Sequence, residues 1–138
     1  MDIKIENDNT DKILEALEEQ AHNAMLDVGM IASGDVAEFI RDEGIVDTGL
    51  LRNSITFALA GESPQIDSYS ADKGDGEGSY SGSAPTAEHP TVYIGTNVEY
   101  AKYVQYGTSR MTARDFMFAP LRKNIEGYKQ IIEKYLKV

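Results

Sequence analysis

Thirty consecutive residues, Gly61 to Pro90, constrain this chain more than any other feature. The stretch GESPQIDSYSADKGDGEGSYSGSAPTAEHP holds three of the chain's four prolines. It has one aliphatic side chain larger than alanine, Ile66. Such a segment buries too little apolar area to offset the entropy of ordering it. The core must therefore come from two apolar blocks, one on each side. A long stretch without regular structure inside a compact domain is usually a functional loop or a disordered one. Residues 61–90 are expected to be a flexible glycine-rich loop within a single domain spanning 1–138.

On the N-terminal side, Leu14, Leu17, Ala21, Ala24, Val28 and Ile31 recur at spacings of three and four. That is the repeat of one helix face. Val36, Phe39 and Ile40 continue it. The pattern predicts one long helix from Asp11 to Asp42, capped by Asn9 or Thr10 and ended by Gly44. Gly29 and Gly34 each weaken a helix interior by roughly 1 kcal/mol relative to alanine, and Gly34 is the place for a kink. Asp47, Thr48 and Gly49 suit a turn. SITFALA, Ser54 to Ala60, is rich in β formers and predicts a strand.

Beyond the loop, TVYIGT, Thr91 to Thr96, predicts the second strand, paired with the first as an antiparallel ribbon. NVEYAKYVQYGTSR, Asn97 to Arg110, follows. A helix from about Val98 sets Tyr100, Tyr103, Val104 and Gly107 on one side, and Gly107 stops it. Phe118, Leu121, Ile125, Tyr128, Ile132 and Tyr135 mark one face of a C-terminal helix, and Pro120 fits only its first turn. The predicted architecture is α+β. A long N-terminal helix and a C-terminal helix pack on a small antiparallel sheet whose hairpin loop is long and glycine-rich.

The residues offer little chemistry. There is no cysteine, hence no thiolate ligand or nucleophile. His22 and His89 are expected to be solvated, and no G-x-S-x-G elbow occurs. DKGDGEG clusters three acids, but Gly74 and Gly76 stand where an EF-hand needs oxygen ligands. Its carboxylates also repel phosphate. No apolar run approaches the ~18 residues of a membrane span. MDIKIENDN is polar and acidic, unlike a signal peptide, so a cytoplasmic chain is expected. The net charge of −10 disfavours nucleic acid. It is unevenly spread: residues 1–50 hold 13 acids and 3 bases, and residues 101–138 hold 3 acids and 8 bases. Unlike faces of two copies can then attract head to tail, a contact that generates rings. Tyrosine is enriched at binding hot spots, which makes the tyrosine run a candidate interface.

Three blocks, VDTGLLRNSI (Val46 to Ile55), VYIGTNVEYAKYVQYGTSR (Val92 to Arg110) and ARDFMFAPL (Ala113 to Leu121), occur in that order. Together they resemble the small neck or tail-completion proteins of long-tailed bacteriophages and related prophages. In that family a long helix leads into a motif like D-T-G-x-L-R-x-S-I. A block like I-G-T-x-x-x-Y-A-x-Y-V-[EQ]-[FY]-G-T comes later, then R-P-F-[LM]-x-P. Asp115 stands where the family often has proline, Gln105 where glutamate is common and Leu121 where alanine is usual. The glycine-rich segment is outside the motif.

The resemblance implies an assembly role without catalysis, cofactor or metal. Family members sit at the head–tail junction and form or complete a ring through which DNA leaves. The implied partners are further copies of the chain and neighbouring neck, head-closure or tail-terminator proteins. Sequence-specific nucleic-acid binding and membranes are not implied. The implied location is the host cytoplasm during assembly, then the virion neck. By position, Asp47, Thr48 and Gly49, with Leu51 and Arg52, shape the turn from helix to strand. Gly95 and Thr96 end a strand, and Gly107 and Thr108 stop the tyrosine helix. Tyr100, Tyr103, Tyr106, Arg110, Arg114, Phe116, Arg122 and Lys123 are the candidate interface. A rival of another class is a small-ligand-binding, enzymatic or regulatory module that uses the loop.

Overall fold

The computed structural model describes residues 10–45 and 48–137. Its elements are α1 (Thr10–Asp42), α2 (Leu50–Ser54), β1 (Thr56–Leu59), β2 (Ser68–Ser70), β3 (Glu77–Ser79), β4 (Val92–Gly95), α3 (Ala101–Tyr106), α4 (Phe118–Lys123) and α5 (Ile125–Leu136). The fold is α+β, with helices on a small antiparallel sheet.

Helix α1 is the spine. Ala24, Val28, Ala32, Val36 and Ile40 are buried along it. Their constant spacing of four makes a single ridge on the helix surface. Leu17 and Ile31, expected on the buried face, are exposed. The helix runs unbroken through Gly34 and stops where the sequence places the stop. Gly44 adopts φ +62. Its N–H donates to the Arg41 carbonyl at 3.1 Å, and the Ile45 N–H donates to that of Ile40 at 3.0 Å. This is a Schellman ending, closed by the buried side chains of Ile40 and Ile45.

Strands β1 and β4 pair antiparallel, Phe57 opposite Ile94 and Leu59 opposite Val92. Phe57 faces α1 at Gly29, where any Cβ would collide with its ring. A glycine that weakens the helix thus lets the sheet approach it closely. Helix α5 runs antiparallel along α1 beside the sheet, Tyr128 packing with Val28 and Ala32 of α1 and with Val92 and Ile94 of β4. The Tyr128 hydroxyl donates to Asp35 at 2.6 Å and that of Tyr135 to Asp27 at 3.1 Å. Burial first, and then the bond to Asp35, push the Tyr128 hydroxyl far above the usual tyrosine range.

Three features differ from the sequence reading. Residues 50–54 form a helical turn, so the strand expected from Ser54 begins only at Thr56. The C-terminal helix is two helices, broken at Asn124, whose side chain donates to the Pro120 carbonyl at 2.8 Å. The break rotates the buried face, so Phe118 and Ile125 point outward. Last, residues 61–90 contain a second hairpin, β2 paired with β3. Its base is clamped by hydrogen bonds from Gly61 to Ala84 and from Ala84 to Glu62.

The two helix glycines should respond oppositely to alanine. At the open position Gly34, Gly34→Ala should stabilise by up to about 1 kcal/mol. Gly29→Ala, forced against Phe57, should destabilise by about 1–3 kcal/mol. Denaturant unfolding of the two variants checks this, and a stabilising Gly29→Ala would refute the close approach.

Candidate functional site

The first two sequence motifs meet at the β2–β3 hairpin. Gly49 takes φ +80 at the start of α2, a conformation that favours glycine. The side chain it lacks would strike Asp72 and crowd Arg52. The Leu50 N–H donates to Thr48 Oγ1 at 3.3 Å. The Thr48 carbonyl accepts from the N–H groups of Asp72 and Lys73, at 2.7 and 3.2 Å. Arg52 pairs with the Asp72 carboxylate, and Asn53 Nδ2 donates to Asp72 Oδ1 at 3.0 Å and to the Ser70 carbonyl at 2.9 Å. Leu51 points the other way, wholly buried. Asp47 lies outside the described residues.

From the second motif, Thr96 Oγ1 lies 2.6 Å from the Oγ of fully buried Ser54 and accepts from the Val98 N–H at 3.1 Å. Gly95 pairs with Thr56 at the strand end. Asn97 accepts from the Tyr69 hydroxyl and donates to the Ser79 carbonyl at 2.8 Å. The Tyr80 hydroxyl donates to the Ser54 carbonyl at 2.6 Å. The rings of Tyr69 and Tyr80 pack with centroids 5.6 Å apart. One connected polar network therefore joins the α2 turn, the hairpin and the end of β4.

Sequence reasoning missed Asn53, Tyr69, Asp72, Tyr80 and Asn97. A signal was present for two of them. Tyr69 and Tyr80 are the only tyrosines in the apolar-poor segment and flank DKGDGEG on both sides.

The tyrosine run divides differently from expectation. Helix α3 buries Ala101 and Val104, and Tyr100 packs against the same core. The Tyr100 hydroxyl is buried near Thr48 and Leu51 without closing a hydrogen bond, and burial holds it above the usual tyrosine range. Tyr103 and Tyr106 are instead 47% and 69% exposed. Tyr100 is thus the packing residue, and the other two are the surface residues. Gly107 ends the helix at φ +75, and a Cβ there would meet the backbone at Met111 and Ala113. Thr108 and Met111 then close a tight turn with Arg110 exposed within it.

Of the remaining candidates, Phe116 is 2% exposed and belongs to the core. It is unavailable to a partner in this structure. Arg114 donates to the Glu43 carbonyl at 3.0 Å, tying the turn to the end of α1. Arg122 is exposed but paired with Asp115 at 2.8 Å, so part of its charge is answered within the subunit. Lys123 is exposed. Far from these residues, His22 and His89 line one cleft between α1 and residues 87–91, with Glu18, Glu62 and Glu88. His22 lies 3.2 Å from Glu62. Among the described residues, no group of three potential metal ligands occurs, and no helix is long and apolar enough to cross a membrane.

Comparison of the chain with protein-family models, curated proteins and solved structures finds no match.

The network carries a testable pH dependence. The Asn53 amide first, and then Arg52, hold the Asp72 carboxyl below its ordinary range. A carboxyl lowered on folding stabilises the fold above its unfolded value and ceases to do so as pH falls through the folded one. Between neutral pH and about pH 3, the amide protons of Ala71 and Tyr80 should lose more protection from exchange in the wild type than in Asp72→Asn. Equal losses would show that Asp72 does not hold the hairpin.

Proposed function

We propose that the chain is a structural protein of the phage neck that joins head to tail as a ring subunit, without catalysis. The observation that carries this reading is the mutual placement of the motif residues. The blocks that resemble the neck family, distant in sequence, fasten to one another at Ser54 and Thr96 and hold α3 with its two outer tyrosines uncovered. The buried members Leu51, Ala101 and Val104 pack the core, and Lys102, Tyr103, Tyr106 and Arg110 are left exposed along α3 and the turn after it. That distribution suits a subunit whose function is contact. An acidic chain also suits a conduit for DNA, because a negative wall does not retain the polymer.

The rival ligand-binding reading rests on the glycine-rich segment. In the structure the three acids of its DKGDGEG stretch do not converge. Asp72 is committed to Asn53 and Arg52, and Asp75 and Glu77 are exposed.

In a strain producing the corresponding particles, the chain should co-purify with them. Its deletion should leave full heads beside unjoined tails in electron micrographs. Tyr103→Ala and Tyr106→Ala should keep the wild-type stability yet fail to restore joining. Tyr100→Ala should lower stability by up to a few kcal/mol. Normally joined particles in the deletion strain would reject the proposal.

A further inference from the structure

We infer that the two poles of the molecule are the halves of one self-contact, the acidic tip of α1 of one copy seating on the Tyr103–Tyr106 ridge of the next. The inference rests on the reading of the chain as a ring subunit and names the surfaces that meet.

The tip is open to a partner. Residues 15–20 of α1 are all exposed. They contain Glu15, Glu18 and Glu19 and no base, and Leu17 is 39% exposed among them. Helix α5 supports α1 only part of the way. Its Tyr135 reaches Asp27, and the helix ends one residue later at Leu136. Lys134 and Lys137, at that end of α5, make no ion pair with the tip among the described residues. Among the described residues, the tip is thus an exposed acidic stretch of helix with one apolar side chain, and Glu18 alone of its three acids lines the cleft beside residues 87–91.

The ridge has the complementary chemistry. Tyr103, Tyr106 and Met111 leave large apolar groups uncovered. Lys102 lies over the Tyr103 ring at 5.1 Å, and Arg110 stands in the turn that follows α3. Neither base forms an ion pair among the described residues. An aromatic centre with a charged margin has the anatomy of a protein contact. Unlike charges on the two sides fix the register and speed encounter.

Distance excludes the contact within one molecule. The ridge sits beside the C-terminal end of α1, where Arg114 reaches the Glu43 carbonyl. The tip is at the other end of the same helix, about 40 Å away at 1.5 Å per residue. A contact between different surfaces of identical chains repeats head to tail and closes into a ring when the rotation allows.

A charge swap tests this, because both surfaces are exposed and their reversal should leave the circular dichroism spectrum unchanged. One variant carries Glu15→Lys, Glu18→Lys and Glu19→Lys. The other carries Lys102→Glu and Arg110→Glu. Sedimentation velocity of the wild type should show association at low salt that weakens toward about 0.5 M sodium chloride. Each variant alone should associate about tenfold more weakly, since it sets like charges against each other. Mixing the two should restore association, because each reversed surface then meets its opposite. A wild type that stays monomeric at low salt, variants that associate normally, or a mixture that fails to recover would each overturn the inference. A chain that associates as described but does not restore joining would overturn the neck reading alone. One that restores joining although the mixture fails to recover would overturn only this contact.

Discussion

The approach of Phe57 to Gly29 sets the geometry on which the other contacts depend. A two-stranded sheet has little intrinsic stability and needs a helix against one face. Here the helix offers a gap the width of one side chain, and an aromatic ring fills it. The close spacing brings Val92 and Ile94 onto the helix together with Tyr128 of α5. It also fixes where β1 begins, and so where Ser54 meets Thr96. Helix, sheet and polar network are thus three results of one short separation.

The polar network solves a different problem. Residues 61–90 cannot form a core, yet they cross the open face of the sheet, where Pro64 and Tyr80 line a cleft with Thr56 and Ala58. Two tyrosines act as pegs, apolar by ring and fixed by hydroxyl. Asn53, Asp72 and Asn97 supply the remaining attachments, mostly to main-chain atoms of Thr48, Ser70 and Ser79 or to side chains that are themselves held. Backbone partners suit a segment of this composition, because they need no matching apolar surface.

Legibility in the sequence followed the range of the interactions. The end of α1 at Gly44 was readable because a Schellman ending depends on a few adjacent residues. The two main strands were readable from β-forming composition, although each proved shorter at its ends. The split at Asn124 was not, since Phe118 and Ile125 continue the same spacing as the buried residues and only packing against α1 separates them. The tyrosines failed for the same reason. Spacing placed Tyr100 and Tyr103 together but could not say which one the core would receive. The role of Gly29 depended on Phe57, distant in sequence, and the partnership of Asp72 with Arg52 and Asn53 spanned the loop's first half. Nothing local encodes either.

The clamp at Gly61, Glu62 and Ala84 has a consequence for how such a chain can vary. The ladder between β1 and β4 continues through the Ala60 N–H to the Thr91 carbonyl, so strand register is settled before the excursion begins and after it returns. Between those points, added length costs little, since closure entropy grows only with the logarithm of loop size. The excursion is in effect a cassette. Its contents can be lengthened, shortened or exchanged to suit whatever lies above the sheet, while the frame that carries it keeps the same register.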